Sequence, residues 1–450
     1  MSSGRWIGFV CALMFLSMLP VAAHAQFTFD PANYTELADT ASAETIAPGT
    51  QVTLHNWQQY RKFMPMGFVA AYSQRYGFRI GIEPKYTINV APTTSVPMFR
   101  QLLENTERYA GQTRLRRAAS GGYTMEGYVS GVPFSKPSGP LMPYQVLYNV
   151  WTNYFPSISY FDGSYLAIDR YRNSFYEQID VDQWRLSHSS DEGFPTNPSY
   201  GRGLIQASRI LINSPEQERY TAQLALMPDD PEKVQEIYTF VPALRRSVRM
   251  SSAARCVPLL GSDFNQDDAN DGMFFQPPNF KVTLLGTKKV LAIMHGDLNH
   301  WYGGDLPGGE RLFDREGVPG WPSPTVGKWE MRDVYILDLM PLPVISGYCY
   351  GHKVIFVDAE TFVQLYLDDY DASGRLAKAQ LMWHTPIRIN DHESYVIRGH
   401  DPETMIDWQN THATTSLLNS APQVNKLNHR EVSNQPEVYA FPGGLANIMK

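Results

Sequence analysis

The sequence predicts a mainly β (α+β) protein built on an antiparallel sheet. Three observations carry that reading. From about residue 120 onward the chain is a series of short runs broken by turn residues, with no helices between them. Glycine (33) and proline (32) are frequent enough to mark many turns and to leave room for few long helices. Aromatic residues make up 13% of the chain and charged residues 18%, less charge than the roughly 25% usual in soluble domains. Such a chain has ample apolar surface to bury, which excludes disorder. With 38 basic against 45 acidic residues, a nucleic-acid binder relying on phosphate attraction is also excluded. A large β-rich soluble protein and an outer-membrane barrel remain.

Residues 1–25 read as an export signal. Arg5 supplies the positive start, residues 6–21 are almost wholly apolar, and Ala23-His24-Ala25 is a small-x-small cleavage site before Gln26. The expected compartment is therefore the periplasm, with possible residence at the outer membrane. Cys256 and Cys349 are then the two cysteines of the mature chain. In an oxidising compartment they read as a single disulfide, with two buried thiols as the alternative.

Residues 26–125 form an N-terminal segment with two helices. The first, 57–76, places Tyr60, Phe63, Met64, Phe68, Ala71 and Tyr72 at helical spacing, with Pro65 kinking or dividing it and Gly77 as the stop. The second, 96–110, has Pro97 in its first turn, Phe99, Leu102, Leu103 and Tyr109 as its apolar set, and Gly111 as its cap. The sheet domain spans 126–395. Residues 219–226 alternate, with Tyr220, Ala222, Leu224 and Leu226 on one face. A Pro-Asp-Asp-Pro turn follows, then a strand from 234 that crosses Pro242 and runs on to 248. Other strands are expected at 164–172, 205–212, 281–285, 289–294, 333–339, 352–358 and 362–370. Residues 296–328, rich in Gly, Pro and Trp, read as a long loop. Residues 396–450 are polar without a strong period and read as a C-terminal arm.

The familiar catalytic signatures are absent: no G-x-S-x-G, H-E-x-x-H, phosphate-cradling G-x-x-x-x-G-K or C-x-x-C. Asp263 to Asp268 opens like a calcium loop, but Asp268 and Phe274 stand where Gly and Glu are required, so a solvated acidic turn is expected. His295 and His300 flank Asp297 at a spacing that suits neither one helix face nor a zinc site, and read as surface residues entering a loop. Arg245 and Arg246, with Arg249, place forked donors at a strand end, where they fit a lipid headgroup or structural ion pairs. Glu330, Asp333, Asp338, Asp358, Glu360, Asp368 and Asp369 contain any glycosidase-like carboxylate pair, although acids at strand ends and turns are ordinary.

Several stretches together carry a family resemblance. Residues 127–137, Gly-Tyr-Val-Ser-Gly-Val-Pro-Phe-Ser-Lys-Pro, resemble a motif of the bacterial domain-of-unknown-function family 1329, with Ser135 where that family usually has Pro. The run from Tyr238 to Arg249 is similar to its strand with paired arginines, and Gln266-Asp267-Asp268 falls at its acidic loop. Trp329 to Tyr335 and Tyr370 to Gly374 match its C-terminal strands, so the resemblance covers roughly 35–390. It implies an incomplete antiparallel β-barrel similar to the lipoprotein carriers LolA and LolB, with helices covering the concave face. It implies no cofactor and no catalytic residue. It also implies an outer-membrane protein and an exporter of the resistance-nodulation-division type as partners.

A one-sided sheet needs a cover or a ligand. The expected lining is Tyr220, Leu224, Leu226, Val282, Leu284, Val334, Ile336, Val354 and Phe356, with an ordinary filled core as the bland alternative. The expected function is a non-catalytic carrier of a lipid or lipoprotein acyl group. The alternatives are an envelope enzyme acting on glycans and an outer-membrane-associated scaffold of an export system.

Overall fold

The computed structural model describes residues 27–73, 87–169, 171, 174–194, 196, 201–251, 255–268, 274–296, 326–399, 402–419, 422–425, 432–445 and 447–448. The export signal, Asp297, His300 and most of the 296–328 loop lie outside these residues. Fourteen strands form one antiparallel sheet. In chain order they are β1 (Ile158–Asp169), β2 (Ser174–Arg185), β3 (Leu204–Ser214), β4 (Ala222–Pro228), β5 (Glu236–Val241), β6 (Arg246–Arg249) and β7 (Phe280–Gly296). They continue with β8 (Gly327–Pro341), β9 (His352–Asp358), β10 (Gln364–Tyr370), β11 (Leu376–Met382), β12 (Glu403–Asp407), β13 (His412–Leu418) and β14 (Gln423–Val424). The spatial order is β6-β5-β4-β3-β2-β1-β13-β12-β11-β10-β9-β8-β7, with β14 also on β1. Two hairpin meanders, β1–β6 and β7–β11, are thus joined by the β12–β13 hairpin.

That junction corrects the expected C-terminal arm, because residues 403–418 supply the middle of the sheet. Four further differences have local causes. Pro242 does not carry the strand onward; with Ala243 and Leu244 it forms a 3-10 turn, Arg245 takes a left-handed conformation (φ 48°), and β6 folds back on β5. The strands expected at 281–285 and 289–294 are one strand, β7, whose register shifts between Leu284 and Gly286. Tyr220 lies before β4 with φ 70°, outside the strand. Pro97 lies ahead of its helix, α2 (Arg100–Arg108). Pro65 divides the first helical stretch as expected, separating the 3-10 turn Trp57–Phe63 from α1 (Met66–Ser73).

Directly paired residues share a face of a sheet. One face reads Phe356, Tyr366, Leu381, Thr404, Thr415 and Leu166 across β9 to β1. The N-terminal segment packs on this face. Asp368 there accepts from the backbone N–H groups of Met66 (2.9 Å) and Gly67 (2.8 Å), so a sheet carboxylate caps α1. Near the other edge, Ala440 and Leu445 of the C-terminal residues cover Trp184, Leu224 and Leu226.

The opposite face carries α3 (Met142–Trp151), a helix with Pro143 in its first turn that the sequence reading did not anticipate. Its Val146, Leu147 and Val150 cluster with Val282, Leu339 and Val357. Its Tyr148 and Trp151 cluster with Ile205 and Met227 of β3 and β4. In a flat sheet β4 and β7 would be ~48 Å apart at about 4.8 Å per strand, far more than one helix spans. The sheet therefore curls around α3, and this face is the concave one. The expected incomplete barrel with a helical cover is present, but α3 covers the concave face and α1 sits on the convex side.

A candidate ligand cavity beneath a tethered roof

The concave face of β1–β4 forms the floor of a cavity. Two adjacent rows cross it: Phe161, Val181, Ile210 and Gln223, then Ser159, Gln183, Ser208 and Ala225. Tyr165 and Ile179 extend the apolar part. A segment between β6 and β7 forms the roof with Leu259, Phe264, Gln266 and Phe274. The Phe264 and Tyr165 ring centroids are 6.5 Å apart across the space. The enclosed free volume is about 70 Å³. It admits a few waters or a short alkyl segment, so a longer chain enters only if the roof moves outward.

The walls are apolar with a few polar groups. Gln183 lines the cavity, and its Oε1 accepts from Ser159 Oγ at 3.5 Å behind the wall. Glu403 lines one end and accepts from Gln380 Nε2. Gln266 is 2% exposed, and its Nε2 has no hydrogen-bond partner among the described residues.

The roof is held by a covalent bond and buried charges. Cys256 is disulfide-bonded to Cys349, with Cα atoms 5.4 Å apart. Lys353 Nζ lies 2.7 Å from Asp268 Oδ1, and both side chains are fully buried. Tyr350 donates to Asp268 Oδ2 (2.9 Å) and accepts from Asn265 Nδ2 (2.7 Å). Thr414 Oγ1 donates to Asp263 (2.7 Å), which also pairs with His412 Nδ1. Burial opposes the charge on Asp268, but Lys353 overrides it and keeps the carboxyl below its ordinary range. Burial would lower Lys353, yet the Asp268 and Asp369 carboxyls hold it above its usual value. Asp267 is pushed up to about 6 by burial, against the pull of Arg255. The hydrogen bond to Asp263 raises His412. The acidic turn expected to be solvated is thus buried. Among the described residues no cluster of three metal-ligating side chains occurs.

The expected lining residues do not share one space. Val282 and Leu284 face the concave side, opposite Leu339 and Leu337. Val334, Ile336, Val354 and Phe356 lie on the convex side in the cluster that includes the N-terminal segment. Leu224 and Leu226 lie beneath the C-terminal residues, and Tyr220 stacks under Arg219 (4.8 Å). The alternation in β4 is real, but the cavity takes Gln223 and Ala225, the opposite parity, because one residue of offset exchanges the faces. The floor residues of β1 and β2 were missed. Their signal was the period-two spacing of Phe161, Tyr165, Ile179 and Val181. Arg245 and Arg246 are exposed at the free edge of the sheet, and Arg249 pairs with Glu236 (2.6 Å).

Most of the scattered carboxylates are engaged, whereas Asp369 is buried without a hydrogen-bond partner among the described residues and lies 3.7 Å from Lys353 Nζ. Arg332 donates to Asp358 (2.7 Å) and Glu360 (2.8 Å). Glu330 meets His295 Nδ1 at 2.8 Å, and Asp338 meets His352 Nδ1 at 2.9 Å.

Among the solved structures similar to the chain are the following three. One is a domain described as an outer membrane lipoprotein-sorting protein from Vibrio parahaemolyticus, 14% identical, covering 67% of this chain and 98% of its own, with a TM-score of 0.43. A DUF1329 protein from Desulfovibrio piger is also 14% identical, covering 66% and 98%, TM-score 0.43. A LolA-superfamily protein from Nitrosomonas europaea is 13% identical, covering 63% and 94%, TM-score 0.36. No curated protein matches the chain. The family model described as protein of unknown function (DUF1329) matches residues 51–439, a span that runs from the N-terminal segment through the whole sheet and the roof, and the chain belongs to that family.

Proposed function

We propose that this protein is a non-catalytic periplasmic carrier that holds a lipid, or the acyl group of a lipoprotein, on the concave face of its sheet. One observation carries the reading: an apolar cavity lies between β1–β4 and a roof that is tethered rather than continuous with the sheet. Its floor of Phe161, Val181 and Ile210 suits an alkyl chain, and concave apolar sites with a few polar groups are the usual form of a ligand site. Export is supported by the signal pattern of residues 1–25 and by the Cys256–Cys349 bond. An outer-membrane protein and a resistance-nodulation-division exporter are the proposed partners at either end of the transfer.

The test is lipid extraction and native mass spectrometry of protein expressed in the periplasm, alongside binding of a fluorescent acyl probe. The reading expects co-purified lipid and saturable binding, with binding lost when Val181→Trp fills the floor. Absence of lipid together with absence of probe binding would overturn it.

A further inference from the structure

The cavity wall says something about the head of the ligand as well as its tail. Among its described lining residues none is Lys, Arg or His. A buried carboxylate or phosphate would therefore meet no cation there, and burying an unpaired charge is among the costliest steps in binding. The polar groups that are present are mainly carboxamides and hydroxyls: Gln183, Gln223 and Gln266, with Ser208 and Ser416. Gln266 is the informative one. It is buried, it reaches the cavity from the roof, and its Nε2 donates to nothing among the described residues. A buried donor without a partner is a standing cost that a ligand oxygen would remove.

We infer that the cavity selects amphipathic ligands with an uncharged, hydrogen-bond-accepting head, such as the ester or amide of an acylglycerol or acylated cysteine, over free fatty acids and anionic phospholipids. This rests on the carrier reading. The alkyl part lies along Phe161, Val181 and Ile210, and the head oxygen accepts from Gln266 Nε2. In the row beside it, Gln183 and Ser208 supply further donors and acceptors. Glu403, held by Gln380, adds repulsion toward an anionic head.

The experiment measures displacement of the neutral dye N-phenyl-1-naphthylamine from the mature chain at pH 7.5. The competitors are 1-monopalmitoylglycerol and palmitate, which have the same acyl chain. The expected result is displacement by the monoglyceride at a concentration at least tenfold lower than by palmitate. Gln266→Leu should shrink that preference by roughly five- to tenfold, each displacement being referred to the variant's own dye affinity, as loss of one buried hydrogen bond predicts. Equal or stronger displacement by palmitate with the unmodified chain overturns the inference but leaves the carrier reading standing. An unchanged preference in the Gln266→Leu variant overturns the role of that residue in it. Failure of the dye to bind at all overturns the carrier reading, and the selectivity falls with it.

Discussion

Lys353 in β9 and Asp268 in the roof meet at 2.7 Å, with neither side chain exposed to solvent. The pair joins two parts of the chain 85 residues apart. Removing one partner strands the other as an uncompensated buried charge. Lys353→Met should therefore destabilise the protein by about 3–5 kcal/mol, measured by urea unfolding. Replacing both, Lys353→Met with Asp268→Leu, should recover much of that loss. If the double variant is as unstable as the sum of the singles, the pairing is not what holds this site.

The disulfide closes a sequence separation of 93 residues. Reduction, or Cys256→Ser with Cys349→Ser, should cost about 2–5 kcal/mol and loosen the roof. Thermal melting with and without dithiothreitol measures the first effect. Faster hydrogen exchange at 255–268 measures the second, and exchange confined to other regions would count against a tethering role.

Gly67 has no room for a side chain. A Cβ there would come within 2.8 Å of Asp368 Oδ1 and closer still to Ala379. Gly67→Ala should push α1 off the sheet and cost about 1–3 kcal/mol. Asp368→Ala should cost a similar amount, because it leaves the Met66 and Gly67 N–H groups buried without an acceptor. A fully stable Gly67→Ala variant would mean that α1 does not sit as described.

Glu177 in β2 is raised to about 7 from 4.5, first by burial and then by Glu218. The folded state then holds a proton that the unfolded state releases between those two values. Stability from this group is present at low pH, falls as pH rises through about 4.5 to 7, and levels above. Glu177→Gln removes the dependence. The stability difference between wild type and Glu177→Gln should therefore move against the wild type over that window, and a difference that is flat with pH would show that Glu177 titrates normally.

The parts of the fold legible in the sequence were those governed by local pattern. The strand at 352–358 was read to its ends, because its centre carries the β-branched Val354, Ile355 and Val357 and turn residues bound the run. The Cys256–Cys349 pairing followed from arithmetic. What was missed depended on long-range packing. His412–Leu418 reads as polar because Thr414 and Thr415 sit within it, yet both are buried at the centre of the sheet. Their hydroxyls find partners in Asp263 and Thr404, which no local window displays. The cavity was missed for a related reason: alternation reveals that a strand has two faces, but which one is concave depends on where α3 packs.

The position of β12 and β13 has a consequence for biosynthesis. Until residue 418 is available, β1–β6 and β7–β11 are two separate meanders, each with an open inner edge on β1 and β11. The hairpin from the end of the chain pairs with both and closes them into one surface. Such late, non-local pairing is slow, and unpaired edges invite association in the meantime.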